Sequence, residues 1–227
     1  MEDIMTNYFQ TYHNQSNWPP IKKPENRVIE KLENTFLRTI QLDYIQLDNH
    51  LMDALNSRKS SKEMRVSKTL DALKLGTLLK WSIGMFEDRR MFPSAGELYT
   101  IKCLVAIKDL GGVKSGLYEY IPEHHRIAWL GEYQELKKAF VQEDIDFNVC
   151  LVLGSDLDRA CQHYGERGYR FSLLEAGHMM QNIMLVASTL ELAVAPIGGF
   201  KDDVANELST HENFKSMYLV PIGEYID

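Results

Sequence analysis

At 227 residues, with 44% hydrophobic and 25% charged residues, the chain has the makeup of one globular domain, with room for two small ones. A formal charge of −7 argues against a nucleic-acid binder, which would carry a basic face. The opening stretch, MEDIMTNYFQTYHNQS, holds early acids and no apolar run, so a cytoplasmic chain without signal peptide or membrane span is expected.

Residues 1–26 are polar and aromatic, broken at Trp18-Pro19-Pro20, and read as an arm lying on the surface or on a partner subunit. A helix is expected over 26–39 and an extended segment over 40–47. Asp48 is a plausible cap for a short helix over 49–56. That helix runs into SRKSSKEMR, residues 57–65, where hydroxyls sit among cations. The run is either a phosphate grip or a solvated basic loop.

Apolar spacing at Leu70, Leu73, Leu78, Leu79 and Trp81 predicts a helix over 69–83. Next, Arg89-Arg90 precede Pro93-Ser94-Ala95-Gly96, small residues that either let a backbone approach a flat ligand or simply form a turn. A strand is expected over 99–107, and a hairpin joins 116–120 to 126–130. Its turn carries His124-His125, whose side chains point apart and lack a third ligand, so a solvated turn is the better reading. An amphipathic helix over 133–141 and a buried strand over 147–153 follow. Cys103 and Cys150 fall in strand-like runs, and with Cys161 they show no metal-ligand spacing; the first two are expected to be buried, inert thiols.

The most informative stretch is 163–200. From Phe171 to Leu190 it is apolar nearly all round, which predicts a central helix buried on every side. At about 100° per residue, Glu175, His178, Asn182 and Thr189 fall on one narrow polar seam. A polar entry loop containing His163-Tyr164 precedes the helix, and a Pro-Ile-Gly-Gly exit loop follows it. Extended backbone over 193–197, a short helix over 202–208 and a last strand over 217–222 complete the chain. Strands and helices do not alternate evenly, so the expected class is α+β, a mostly antiparallel central sheet flanked by helices.

Three blocks then carry a resemblance: PSAGELY at 93–99, GLYEY at 116–120, and YGERGYRFSLLEAGHMMQN at 164–182 followed by APIGGF at 195–200. Together with ALNSRKSSK at 54–62 they resemble the SagB-type dehydrogenases, the azoline oxidases of the FMN-dependent nitroreductase superfamily. The resemblance covers roughly residues 40–223 and divides the chain into an N-terminal arm and helix, 1–39, and an FMN-binding domain, 40–227. It implies a nitroreductase-like fold, a homodimer with the long central helix at its interface, and FMN bound there. Arg58, Lys59, Ser60 and Lys62 fall where such proteins grip phosphate and ribityl. Pro93, Ser94, Ala95 and Gly96 fall where they line the isoalloxazine, and Pro196, Ile197, Gly198 and Gly199 on its other side. Asn182 matches a recurrent polar residue of the central helix.

The implied activity is dehydrogenation of azoline rings to azoles in a ribosomally made peptide, with a cyclodehydratase complex as partner. These oxidases carry a Lys-Tyr pair before RGYR; here the pair is His163-Tyr164, assigned as catalytic base and relay. An imidazole changes charge near physiological pH and suits that role. Set against that family, the chain is expected to be without the extra N-terminal domain of some members and the C-terminal extension that supplies phosphate-binding cations; Arg170 or Arg167 would compensate. Two further activities compete: an NAD(P)H-dependent reductase of small molecules or peptide dehydro-residues, and a weakly active flavin-bound scaffold subunit.

Overall fold

Seven strands form one sheet in a computed structural model that describes residues 8–15, 50–141, 145–209 and 213–226. The helix expected over 26–39, the extended segment over 40–47 and Asp48 lie outside the described residues. The elements are, in chain order, α1 (Tyr8–Gln15), α2 (His50–Ser57), β1 (Met64–Arg65), α3 (Ala72–Ile83), β2 (Met85–Phe86), β3 (Arg89–Arg90), β4 (Ile101–Ile107), β5 (Gly116–Ile121) and β6 (Arg126–Gly131). Then come β7 (Val149–Asp156), α4 (Leu157–Tyr164), α5 (Arg167–Thr189), β8 (Ala193–Val194), α6 (Asp202–Asn206) and β9 (Phe214–Tyr225). The sheet order is β1-β9-β7-β4-β5-β6, with β8 also on β9, and every pairing is antiparallel. β2 and β3 form a separate small hairpin.

Strand alternation sorts the core into two layers. Ile101, Cys103, Val105 and Ile107 of β4 face one way, against Leu75, Leu78 and Leu79 of α3 and Met179, Ile183 and Ala187 of α5. Leu104 and Ala106 face the other way, against Phe140, Phe147, Phe200 and Phe214. Both faces are covered, which is why VCLVL in β7 reads as a continuous apolar run.

The long helix is real but longer at its start, beginning at Arg167 rather than Phe171. It is not buried all round. Leu173 is 43% and Leu174 53% exposed, while the opposite face packs on the sheet and α3. The expected interior His178 is exposed as well. The helix expected over 133–141 shrinks to a single 3-10 turn, Leu136–Ala139.

The polar entry loop is also revised: it is helix α4, with His163 and Tyr164 as its last two residues. Asp156 caps it by accepting from the Arg159 amide at 3.2 Å, and Gly165 at φ 57° turns the chain into α5. Leu157 and Ala160 are its buried side, a pattern too sparse to stand out among the polar residues. α4 crosses α5 where Gly168 meets the backbone of Ala160 and Cys161. Of the expected arm, α1 packs on this chain itself: Phe9 N donates to Glu166 Oε2 at 2.7 Å, and Phe9 stacks with Tyr169.

A methyl group at Gly168 has no room, and its neighbours are backbone atoms that cannot swing away. Gly168→Ala should destabilise the protein by about 1–3 kcal/mol through overpacking. A thermal melt indistinguishable from wild type would show that the α4–α5 crossing is looser than described.

Candidate functional site

The seam of α5 braces the loop that precedes β4. Glu175, 3% exposed, places one carboxyl oxygen on the Ser94 hydroxyl and the other on the Ile101 amide at 2.9 Å. Ser94 Oγ in turn accepts from Tyr99 N at 3.0 Å. One turn along, His178 Nδ1 lies 3.3 Å from Pro93 O. One turn further, Asn182 Nδ2 donates to Met91 O at 2.8 Å and to Ser82 O at 3.2 Å. Residues 91–94 thus run antiparallel to α5, held at three successive turns. Thr189, also placed on the seam, takes no part: its hydroxyl donates to Val186 O at 2.8 Å in its own helix.

So tethered, the loop adopts conformations that most residues avoid. Gly96 lies at φ 55°, and two non-glycine residues follow in the left-handed region, Glu97 at 55° and Tyr99 at 47°. Such backbone is held only when its surroundings over-determine it, and it gathers at functional sites. Gly96 is required twice over: for its φ, and because a Cβ there would run into Tyr164 Oη. Hence the Tyr164 hydroxyl rests on the Pro-Ser-Ala-Gly loop. His163 meets the Tyr164 ring edge-on at 4.5 Å, and Phe171 of α5 meets it at 4.9 Å. Tyr164 is half-buried; His163 and Arg170 are exposed.

The second group of predicted residues gathers at the other end of α5. Arg58 continues α2 by donating its amide to Ala54 O, and Ser188 Oγ of α5 reaches the same carbonyl at 3.3 Å. Ser61 N donates to Val194 O at 3.0 Å, drawing the 58–62 loop to β8 and so to the loop that leaves it. There Ile197 exchanges two 3.0 Å backbone bonds with Leu219, leaving Pro196, Gly198 and Gly199 at the surface or half-buried beside the sheet. Lys59 lies over the Tyr225 ring at 4.1 Å.

The predicted residues therefore form two clusters: His163, Tyr164, Arg170 and 93–96 at the start of α5, and 58–62 with 196–199 at its end. The thirteen steps from Glu175 to Ser188 span roughly 20 Å of helix. Asn182 stands between the clusters with its amide nitrogen committed to the loop. Sequence reasoning missed Glu175 as the brace. The available signal was a buried acid three residues ahead of His178 on the same stripe. Burial pushes the Cys103 and Cys150 thiols up, as expected of inert interior cysteines.

An antiparallel sheet backed by a long helix, with a polar seam bracing a Pro-Ser-Ala-Gly loop, is the nitroreductase fold. Residues 55–224 match the model of the nitroreductase family, and the chain belongs to that family. Membership marks an oxidoreductase of a family that typically binds flavin. The nitroreductase-family protein MJ1384 of Methanocaldococcus jannaschii is 30% identical over 198 residues, 83% of this chain and 97% of that one. Among solved structures, the Escherichia coli microcin synthetase McbBCD complex with truncated pro-MccB17 bound shares the fold at a TM-score of 0.75 and 17% identity, covering 97% of this chain and 92% of that one. A nitroreductase-family protein of Exiguobacterium sibiricum in complex with FMN matches at a TM-score of 0.55 and 14% identity, covering 80% and 91% of the two chains. Among the described residues, no helix is long and apolar enough to cross a membrane.

Removing the Glu175 carboxyl leaves a half-buried hydroxyl and a buried amide without their acceptor. Glu175→Ala should cost roughly 2–4 kcal/mol in denaturant unfolding. Glu175→Gln should cost less, because its amide oxygen still accepts from Ile101. An alanine variant as stable as wild type would show that the brace carries no weight.

Proposed function

We propose that this protein is an FMN-dependent dehydrogenase that oxidises azoline rings to azoles in a ribosomally made peptide, working as a homodimer in the cytoplasm. The observation that carries the reading is the Tyr164 hydroxyl seated on Gly96, with the His163 ring against it. A proton-handling pair adjoins the very loop assigned to the flavin ring.

The chain's residues fit an FMN. Arg58, Lys59, Ser60 and Lys62 would take the phosphate end, with Arg170 as a further cation, and Ser61 N already ties their loop to the strand before Pro196–Gly199. Pro93, Ser94, Ala95 and Gly96 would line the ring, in a backbone set by Glu175 and Asn182. The two clusters stand roughly 20 Å apart along α5. A two-fold pairing with antiparallel α5 helices would bring the 93–96 loop of one copy to the 58–62 and 196–199 loops of the other. The exposed Leu173 and Leu174 suit burial in such a contact.

When bound, the flavin supplies the acceptor for the hydride that leaves one azoline carbon. The chain must take the proton from the neighbouring carbon, so that the ring loses two hydrogens and gains one double bond. Tyr164 Oη, at the loop surface, takes that proton as it gives up its own hydroxyl proton to His163. The exposed His163 ring takes it on and hands it to water. Phe171 holds the tyrosine ring from its other edge. The microcin synthetase McbBCD complex, with its bound truncated pro-MccB17, supports a peptide as substrate and a multisubunit complex as partner, and the proposed partner is a cyclodehydratase complex.

The test is to incubate the purified yellow protein with an azoline peptide under oxygen and, separately, with NAD(P)H and a nitroaromatic. Loss of two hydrogens from the peptide is expected. Tyr164→Phe and His163→Ala should each slow that loss by about 10²-fold or more while the bound flavin absorbance persists. Rapid nicotinamide oxidation with the peptide unchanged would favour a small-molecule reductase. A yellow protein inert in both assays would favour the scaffold role.

A further inference from the structure

Beside the candidate site lies a second concavity, between β3, the ends of β4 and β5, and the start of α4. Its floor is apolar and belongs to the core: Ile83, Phe92, Ile101 and Met179 are all under 9% exposed. Its rim carries charges of both signs that pair with each other. Arg90 bonds Glu123, and Lys102 lies 3.2 Å from Glu119. Arg159 of α4 completes the rim and makes no ion pair with a described residue.

This cleft is joined to the Tyr164 site by one loop and one helix. Tyr99 lines it and ends the same braced loop whose Gly96 touches Tyr164. Arg159 and Tyr164 belong to one helix, five residues apart, which is roughly 7 Å along the axis and about 140° round it. An extended peptide advances about 3.3 Å per residue, so the axial rise between them matches two residues of substrate.

We propose that the cleft is a specificity subsite that takes an apolar side chain of the substrate peptide two positions from the ring being oxidised; this rests on the peptide-oxidase reading above. The floor rewards apolar burial. The rim works against a basic side chain. An incoming base would have to displace one partner of an ion pair that is already partly removed from water: the Arg90 side chain is 16% and that of Glu119 17% exposed. Arg159 adds repulsion against a basic side chain. The cleft thus admits Leu-like groups and gives no advantage to Lys.

The purified flavin-bound protein would be titrated calorimetrically with azoline peptides carrying Leu, Gly or Lys two positions before the ring, and in a second set two positions after it. Oxidation of each peptide would be followed separately by mass. At one of the two positions Leu should bind at least about tenfold more tightly than Gly, with Lys no better than Gly. Arg159→Trp and Ile121→Trp fill the cleft from α4 and from β5, and each should bring the Leu/Gly ratio close to one. Using both keeps the test decisive if one of them fails to fold. Equal affinities at both positions, no measurable binding of any peptide, or a Leu preference that survives a folded filling variant would overturn the subsite. Discrimination in binding without oxidation would leave the subsite standing and overturn the oxidase reading. Oxidation without discrimination would do the reverse.

Discussion

A buried carboxyl group must find donors, and in this chain the search has one outcome. Glu175 sits inside α5 with almost no contact with water, and its two oxygens are met by the Ser94 hydroxyl and the Ile101 amide. Those two groups flank the whole segment 95–100. Fixing both ends of six residues leaves little freedom between them, which is how Glu97 and Tyr99 are kept in left-handed backbone that neither would choose alone. The strain is local, and it is balanced by hydrogen bonds made from a rigid helix. Everything near Tyr164 inherits its position from that arrangement, because the tyrosine hydroxyl is seated on the loop and the loop is seated on the helix.

The parts of this design that were legible in the sequence are those with a period. Four polar residues at helical spacing in an apolar run marked the seam, and three of them, Glu175, His178 and Asn182, do face one loop. The apolar runs of β4 and β7 marked two neighbouring strands of the sheet. The parts that were not legible lack a period long enough to register. α4 has only Leu157 and Ala160 as a buried side, so its eight residues resemble the polar loop they were expected to be. The helix expected over 133–141 fails because a single 3-10 turn already buries Leu136 and Ala139, after which Phe140 turns into extended backbone. The burial of α5 on every side was inferred from composition, which cannot say whether the second face meets this chain or another.

The site residues divide along the same line. Motifs located the loops, and the three-dimensional arrangement located their supports. The basic loop 58–62 and the exit loop 196–199 are far apart in sequence, and a single backbone bond, Ser61 N to Val194 O, brings them side by side. No residue type announces such a bond, since main-chain groups leave no mark on composition. The pairing of Tyr164 with Gly96 was hidden in a related way: each residue belonged to a recognised motif, but their contact depends on how α4 crosses α5 at Gly168.

The sheet's edges carry a consequence of their own. The outer side of β9 is occupied piecewise, by β1 at its end, by β8 beside it, and by Ile197 bonded to Leu219 at its middle. Strand-like partners cannot add there, because the main-chain donors and acceptors are already used. At the far side of the sheet stands β6, with Ala128 and Trp129 turned to solvent and only β5 as its neighbour among the described residues. A polypeptide that joined this sheet by main-chain hydrogen bonding would therefore extend it at β6, away from β8 and the 196–199 loop that leaves it.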